Sequence, residues 1–249
     1  MKRAARWLVS AIVALSAIGT AAIPASAHTG DAWVNSNAFT TPCIGFNSTY
    51  PSQMYSQARA QMGLLGYSPM SGAIGASFTR SNFLNEVFYD YGVYAHTHGD
   101  NYYAASGAPT IDSGILQDPG AGRCNSKSTD LIRSSAIKSA TMGTPYNLVI
   151  MSTCYVGSSN STMPGAFQIE KVKNSSQREF FLGYAKLTYD SSQMRFEKAF
   201  FSYLNADHNR TAYQAFVYAQ GIGGYESPDS ADPFTPNWWG NPSYNGVPG

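Results

Sequence analysis

Charge, cysteine and histidine are all scarce in this chain, and each shortage excludes something. Sixteen basic residues meet fifteen acidic ones, and charged residues are only 12% of the 249. Lys2, Arg3 and Arg6 stand ahead of an apolar stretch from Trp7 to Ile23 that closes on Ala25-Ser26-Ala27. That order of basic start, apolar run and small residues predicts a secretory signal peptide over residues 1–27. The mature chain would then begin at His28, close to neutral. Such a balance offers no electrostatic footprint for nucleic acid or anionic membrane, and no later run is apolar enough to cross a bilayer. Three cysteines is an odd number, so in an exported protein at most two pair within the chain. Cys43 and Cys124 lie in polar stretches containing Gly and Pro and form the expected disulfide, whereas Cys154 ends an apolar strand.

Tyr, Ser, Asn and Gly take the place of charge and suit an extracellular surface, and between them lie periodic apolar blocks. Residues 28–224 are long enough for one domain with a full core. An opening strand and loop are expected over 32–46. Ser52 would cap a helix to Leu65, with Met54, Ala58, Met62 and Leu65 on one face and Gly66 as its stop. Thr79 or Ser81 starts a short helix through Phe83, Leu84 and Val87, which feeds a strand Val93-Tyr94-Ala95 running to His98-Gly99. Residues 101–127, punctuated by Gly and Pro, read as a long loop. Ser128, Thr129 or Asp130 would cap a helix carrying Leu131, Ile132, Ser135, Ile137 and Met142, and a strand Leu148 to Met151 then runs through Ser152-Thr153 to Cys154. Further on come a Ser/Asn-rich loop over 157–164, a helix over 166–172, a strand over 180–187, and helices over 194–204 and 211–219. Residues 225–249 read as a C-terminal tail, either held on the surface by Trp238 and Trp239 or disordered. Helix and strand alternating in this way predict an α/β fold with a mostly parallel sheet.

Two strands end in residues with chemistry. Open α/β sheets build their sites at the carboxyl ends of strands, so His98 and Cys154 would face one crevice. An imidazole beside a thiol serves nucleophilic catalysis: the thiolate attacks, yet a free thiol with a pKa of about 8.5 is little ionised at neutral pH. A neighbouring imidazole can move the proton. Glycine at 99 lets a backbone come close to a substrate.

The sequence here resembles the caspase-like (clan CD) cysteine peptidases, the group of caspases, metacaspases, legumain, clostripain and gingipains. An apolar block before His98-Gly99 is followed by an apolar block before a small residue and Cys154, with Gly157 three residues on. The histidine stands about 50 residues ahead of the cysteine, as in caspases. Leu64-Leu65-Gly66-Tyr67 before the first strand and Gly183-Tyr184-Ala185 after the second belong to the same likeness, which spans roughly residues 32–221. It implies a three-layer sandwich and a His98–Cys154 dyad, with an oxyanion hole from the amides of Gly99 and Cys154. The implied reaction is hydrolysis of a protein or peptide substrate through a thioester, with no cofactor. Thr153 stands where many members carry Ala or Ser, and Ser152 where metacaspases carry an acid that helps select Arg or Lys. A basic-residue preference is therefore not implied; Asp100 and Asp190 could line a substrate pocket but read first as solvated loop carboxylates.

Two other classes use the same residues differently. His96-x-His98-x-Asp100 has the spacing of a metal-dependent hydrolase, since side chains two apart on a strand share a face. Position 101, where that pattern places a further histidine, is Asn, and only His28 and His208 remain to add an imidazole. A non-catalytic secreted binding module could use Trp238-Trp239 and Tyr102-Tyr103 as stacking platforms.

Overall fold

Apolar strands alternate with amphipathic helices along most of the chain. The computed structural model, which describes residues 28–36, 49–103, 111–120, 130–142, 146–228, 230–231 and 233–248, stacks them in three layers. The elements in order are β1 (His28–Val34), α1 (Tyr50–Leu64), β2 (Tyr67–Ser71), α2 (Arg80–Glu86), β3 (Gly92–His96), β4 (Gly99–Tyr103), β5 (Ile111–Leu116), β6 (Leu131–Arg133), α3 (Ser134–Ala140), β7 (Leu148–Ser152), α4 (Met163–Ala166), β8 (Phe180–Tyr184), α5 (Asp190–Leu204), α6 (Ala212–Ile222) and β9 (Pro236–Gly240). The main sheet has the order β2-β1-β3-β7-β8-β9. Its first five strands are parallel, and β9 joins β8 antiparallel. A smaller antiparallel sheet, β4-β5-β6, leaves the carboxyl end of β3.

Both faces of the main sheet are covered, which is why its strands are apolar throughout. Alternation sends Tyr94, Leu148, Ile150, Phe180 and Leu182 to the face under α1, α5 and α6, where they meet Met54, Met62, Phe196 and Phe200. Val93, Ala95, Val149, Met151 and Phe181 go to the opposite face, against Phe83, Ile137 and Met163 of α2, α3 and α4. Trp33 and Phe78 close that second core, with ring centroids 5.5 Å apart.

Several boundaries differ from those read in the sequence. The first strand starts at His28, and α1 starts at Tyr50 with Thr49 at its cap and Pro51 in its first turn, two residues ahead of Ser52. Thr79 does cap α2, accepting from the Asn82 N–H at 3.1 Å, and Thr211 caps α6 in a reciprocal box with Gln214. The stretch read as a loop over 101–127 contains β5, and it continues β4. Leu131 and Ile132 belong to a strand, with the helix beginning only at Ser134. The helix expected over 166–172 is a single turn at Met163–Ala166. Within 225–249, Pro236–Gly240 is an edge strand of the main sheet. Trp238 is buried there, stacked on Phe180 at 5.4 Å, and the Lys173 ammonium sits over both Trp238 and Trp239 at 4.3 and 4.4 Å. A ring held this way is packing, not a platform for a ligand. Cys43 and Cys124 lie outside the described residues.

Candidate active site

β3 and β7 are neighbours in parallel register, with His96 opposite Ser152. Two residues further along each strand come His98 and Cys154, both half-buried at the carboxyl edge. The backbone around His98 is held on two sides. Leu116 N–H donates to the His98 carbonyl at 3.0 Å, and Asn35 N–H donates to the His96 carbonyl at 2.9 Å. Thr97 is fixed between them, donating to the Leu116 carbonyl at 2.6 Å and accepting from Asn35 Nδ2 at 3.1 Å.

Gly99 opens β4 directly against the cysteine segment. A Cβ added there would lie 2.7 Å from the Cys154 carbonyl oxygen and 2.7 Å from Thr153 Oγ1, closer than real carbon contacts allow. Glycine is required at 99 because two backbones touch there. Cys154 itself sits on a tight corner. Val156 N–H closes back on the Cys154 carbonyl at 2.9 Å, and Tyr155 between them has φ 64, a left-handed conformation that costs a non-glycine residue about 1 kcal/mol or more. Beyond the corner, Gly157 N–H donates to the Tyr184 carbonyl at 3.0 Å, so the loop leaving the cysteine is tied to the end of β8.

The sulfur faces Thr188, in the loop between β8 and α5. Thr188 N–H donates to Sγ at 3.4 Å, and Oγ1 lies 3.7 Å away. Gln193 Nε2 donates to Thr188 Oγ1 at 2.5 Å, Ser152 Oγ donates to Gln193 Oε1 at 3.3 Å, and His96 Nδ1 lies 3.1 Å from the Ser152 carbonyl. Glu197 accepts from Tyr94 and Tyr184 hydroxyls at 2.8 and 2.9 Å. A polar layer thus runs behind the cysteine, from α5 through the strand ends.

The electrostatics follow from this burial. Burial pushes the Cys154 thiol above its ordinary pKa; contacts with Thr188 pull it down, and the carboxylates of Asp190 and Asp100 add to the rise. Burial raises Asp190 to about 7, helped by the charge of Glu197, and raises Glu197 to about 7 against the lowering effect of hydroxyl donors from Ser152, Tyr94 and Tyr184. Asp190 is therefore not the solvated loop carboxylate read in the sequence: it is the first residue of α5, only 3% exposed, and its Oδ2 finds no hydrogen-bond donor. His96 is fully buried, and desolvation lowers its pKa to about 3, so it stays neutral within the core layer. Its Nδ1 is engaged with the Ser152 carbonyl and hydroxyl. Among the described residues no three His, Cys, Asp or Glu side chains come together in a way that could hold a metal ion.

Thr188, Gln193 and Glu197 were missed in the sequence. Gln193, Glu197, Phe200, Phe201 and Leu204 share one helical face by spacing, so a Gln and a Glu on an apolar stripe were the available signal for two of them. Thr188 carries none.

No family model matches the chain, and no curated protein does. Among solved structures it is similar to the complex of the pro- and mature domains of RgpB from Porphyromonas gingivalis, at 11% identity and a TM-score of 0.50 over 87% of this chain and 48% of that one. It is also similar to the Arg-specific cysteine proteinase gingipain R, at 12% identity and a TM-score of 0.52 over 87% of this chain and 46% of that one. The chain spans about half the length of these structures. At such identities the likeness is one of fold: a caspase-like α/β sandwich, mostly parallel and flanked by helices.

Proposed function

We propose that the protein is a secreted cysteine endopeptidase in which Cys154 is the nucleophile and His98 the proton carrier. The observation that carries this reading is the junction at the carboxyl edge, where Gly99, next to His98, meets the Cys154 backbone without room for a Cβ. In the resting site burial favours the protonated thiol. When a peptide carbonyl arrives, His98 takes the thiol proton as Sγ bonds to the carbonyl carbon, giving a tetrahedral oxyanion. The amides of Gly99 and Cys154 donate to that oxygen; one such donor is worth about 2.7–4 kcal/mol of barrier. Collapse breaks the C–N bond, His98 protonates the departing amine, and a thioester remains on Cys154. Water, losing a proton to His98, attacks the thioester and releases the carboxylic acid and the thiol.

The test is paired substitution. Cys154→Ala and His98→Ala each abolish cleavage of an unfolded protein substrate, while circular dichroism and the unfolding midpoint stay within the range of surface changes. A thiol-reactive peptide electrophile labels the wild-type protein once, at Cys154. Wild-type turnover in either variant overturns the assignment.

A further inference from the structure

We propose that a cavity formed by α3, α4 and β5 binds a small amphiphilic anion: a single carboxylate carried on an apolar body. The cavity has a volume of about 570 Å³, within the roughly 300–1,000 Å³ typical of small-ligand sites. Its walls come from both segments that leave the candidate dyad, the hairpin that starts at Gly99 and the loop that follows Cys154, but its residues are distinct from those of the active site.

Two lysines define its charge. Lys138 lines it from α3, and Lys171 enters from the opposite side, donating to the Ser161 carbonyl at 2.9 Å with one of its three N–H groups. The cavity also holds an acid, Asp112, but that carboxylate is already answered from its own side. Ser134 Oγ donates to it at 2.6 Å, Ser135 donates through N–H at 3.1 Å and Oγ at 2.9 Å, and Arg133 stands 3.5 Å away. Both lysines are exposed at the rim, the Lys171 ammonium also lies 5.9 Å from the Trp239 ring, and among the described residues neither ammonium forms an ion pair. Partial desolvation by the cavity wall holds Lys171 below its usual pKa.

The remaining lining decides the rest of the ligand. Besides the bonds to Asp112, the wall hydroxyls are engaged with each other or with backbone: Ser134 with Thr162 at 2.6 Å, Ser113 with Ser161 at 3.1 Å, and Thr162 Oγ1 with the Ser113 N–H at 2.9 Å. They fix the shape and do not call for a polyol. The apolar part of the lining is Gly165, the edges of the buried Ala166 and Ile169, and the alkyl stems of the two lysines. An apolar lining with two cations at its rim suits a chain with one charged head better than a compact, fully hydrated phosphate.

Octanoate tests this by isothermal titration calorimetry on the full chain, with octan-1-ol and inorganic phosphate as controls. Octanoate is expected to saturate a single site, and the double variant Lys138→Met, Lys171→Met to weaken it by about tenfold or more, the loss of charge-assisted hydrogen bonds. A second variant needs no change of charge: a Cβ at Gly165 meets no atom within 4 Å, so Gly165→Leu fills the cavity without straining α4 and is expected to remove octanoate binding. Both variants should keep the wild-type unfolding midpoint. Octanol bound as tightly as octanoate removes the role of the lysines, and phosphate bound as tightly removes the role of the apolar lining. No saturable octanoate uptake, or uptake unchanged in both variants, overturns the site. These readouts are independent of peptide cleavage, so the site stands or falls separately from the dyad.

Discussion

Toward the carboxyl ends of the strands the buried acid Glu197 is met by the hydroxyls of Tyr94 and Tyr184, whereas toward the amino ends Asp31 and Asp90 are met by each other. Glu197 sits among donors, which lower its pKa and bring it down to about 7 despite complete burial. Asp90 is raised further, to about 9, first by burial, then by its hydrogen bond to Asp31 and by that residue's charge, against a single lowering hydrogen bond from Thr29. Ser71 donates to Asp31 Oδ1 at 2.6 Å, but the Oδ2 atoms of both acids are buried beyond the reach of other donors. Two acceptors can bond only when one of them carries a proton. Burial is the first cause in both, so the gap between about 7 and about 9 comes from what surrounds each acid. Donors behind the candidate site hold an acid poised near neutrality, while an acid facing an acid is locked as a neutral strut between β1 and the start of β3.

The largest effect should come from stripping Glu197 of its role as acceptor. Glu197→Leu leaves the buried hydroxyls of Tyr94 and Tyr184 unsatisfied, each costing about 1–3 kcal/mol, so urea unfolding should show a loss of about 3 kcal/mol or more. Glu197→Gln retains a carbonyl acceptor and should lose about 1 kcal/mol. Equal stability of the two variants would erase the contrast between the two ends of the sheet. Next in size is the pH dependence of the strut. A carboxyl whose pKa rises on folding contributes stability that is complete below its unfolded value and is lost as pH climbs to the folded one. For Asp190 and Glu197 that loss ends near pH 7, and for Asp90 it continues to about 9. Between pH 7 and 9 the wild-type protein should therefore lose stability by up to about 1.4 kcal/mol per pH unit relative to Asp90→Asn, whose amide offers Asp31 a permanent donor. Lys173, lowered to about 8 by burial, gains stability with rising pH from there upward, but it does so equally in both proteins. Parallel unfolding curves for the two across this window would mean that Asp90 is ionised in the folded protein at pH 7.

The legible parts of the fold were those set by local chemistry. Met54, Ala58 and Met62 marked the buried face of α1, Thr79 and Thr211 marked helix starts, and the apolar blocks at 93–95 and 148–151 marked the two strands that lead to His98 and Cys154. What escaped was set by distant partners. β5 owes its extended form to Gly99–Tyr103, and β6, only three residues long, owes its form to β5. Leu131 and Ile132 have spacing that a helix would also accept, so periodicity had nothing to distinguish there. The Gly and Pro residues over 101–127 read as punctuation of a loop, although β4 and β5 pair across part of it. Asp190 was placed in solvent because acids are rarely buried, and only the packing of α5 on the sheet brings it inside. The corner at Tyr155 and the contact of Thr188 with the sulfur depend on backbone approach and leave no mark in residue type.

Thr188 offers the finest test of whether the donor-rich end tunes its acid groups one bond at a time. Its N–H reaches Cys154 Sγ at 3.4 Å and its hydroxyl stands 3.7 Å from the sulfur. Because Oγ1 already accepts from Gln193 Nε2 at 2.5 Å, the hydroxyl hydrogen is available to the sulfur and favours the thiolate. Thr188→Val keeps the shape and the backbone donor but removes that hydrogen. One hydrogen bond is worth about 0.5–1.5 kcal/mol, and 1.36 kcal/mol is about one pKa unit, so the thiol should titrate higher by about one unit or less. Iodoacetamide alkylation of Cys154 followed against pH reads this directly, with the midpoint shifted upward in Thr188→Val and returned by Thr188→Ser. A midpoint unmoved by Val means that the amide alone holds the sulfur; one unmoved by Val and also unrestored in rate by Ser means that Thr188 acts on the shape of the loop and leaves the charge of the thiol to burial.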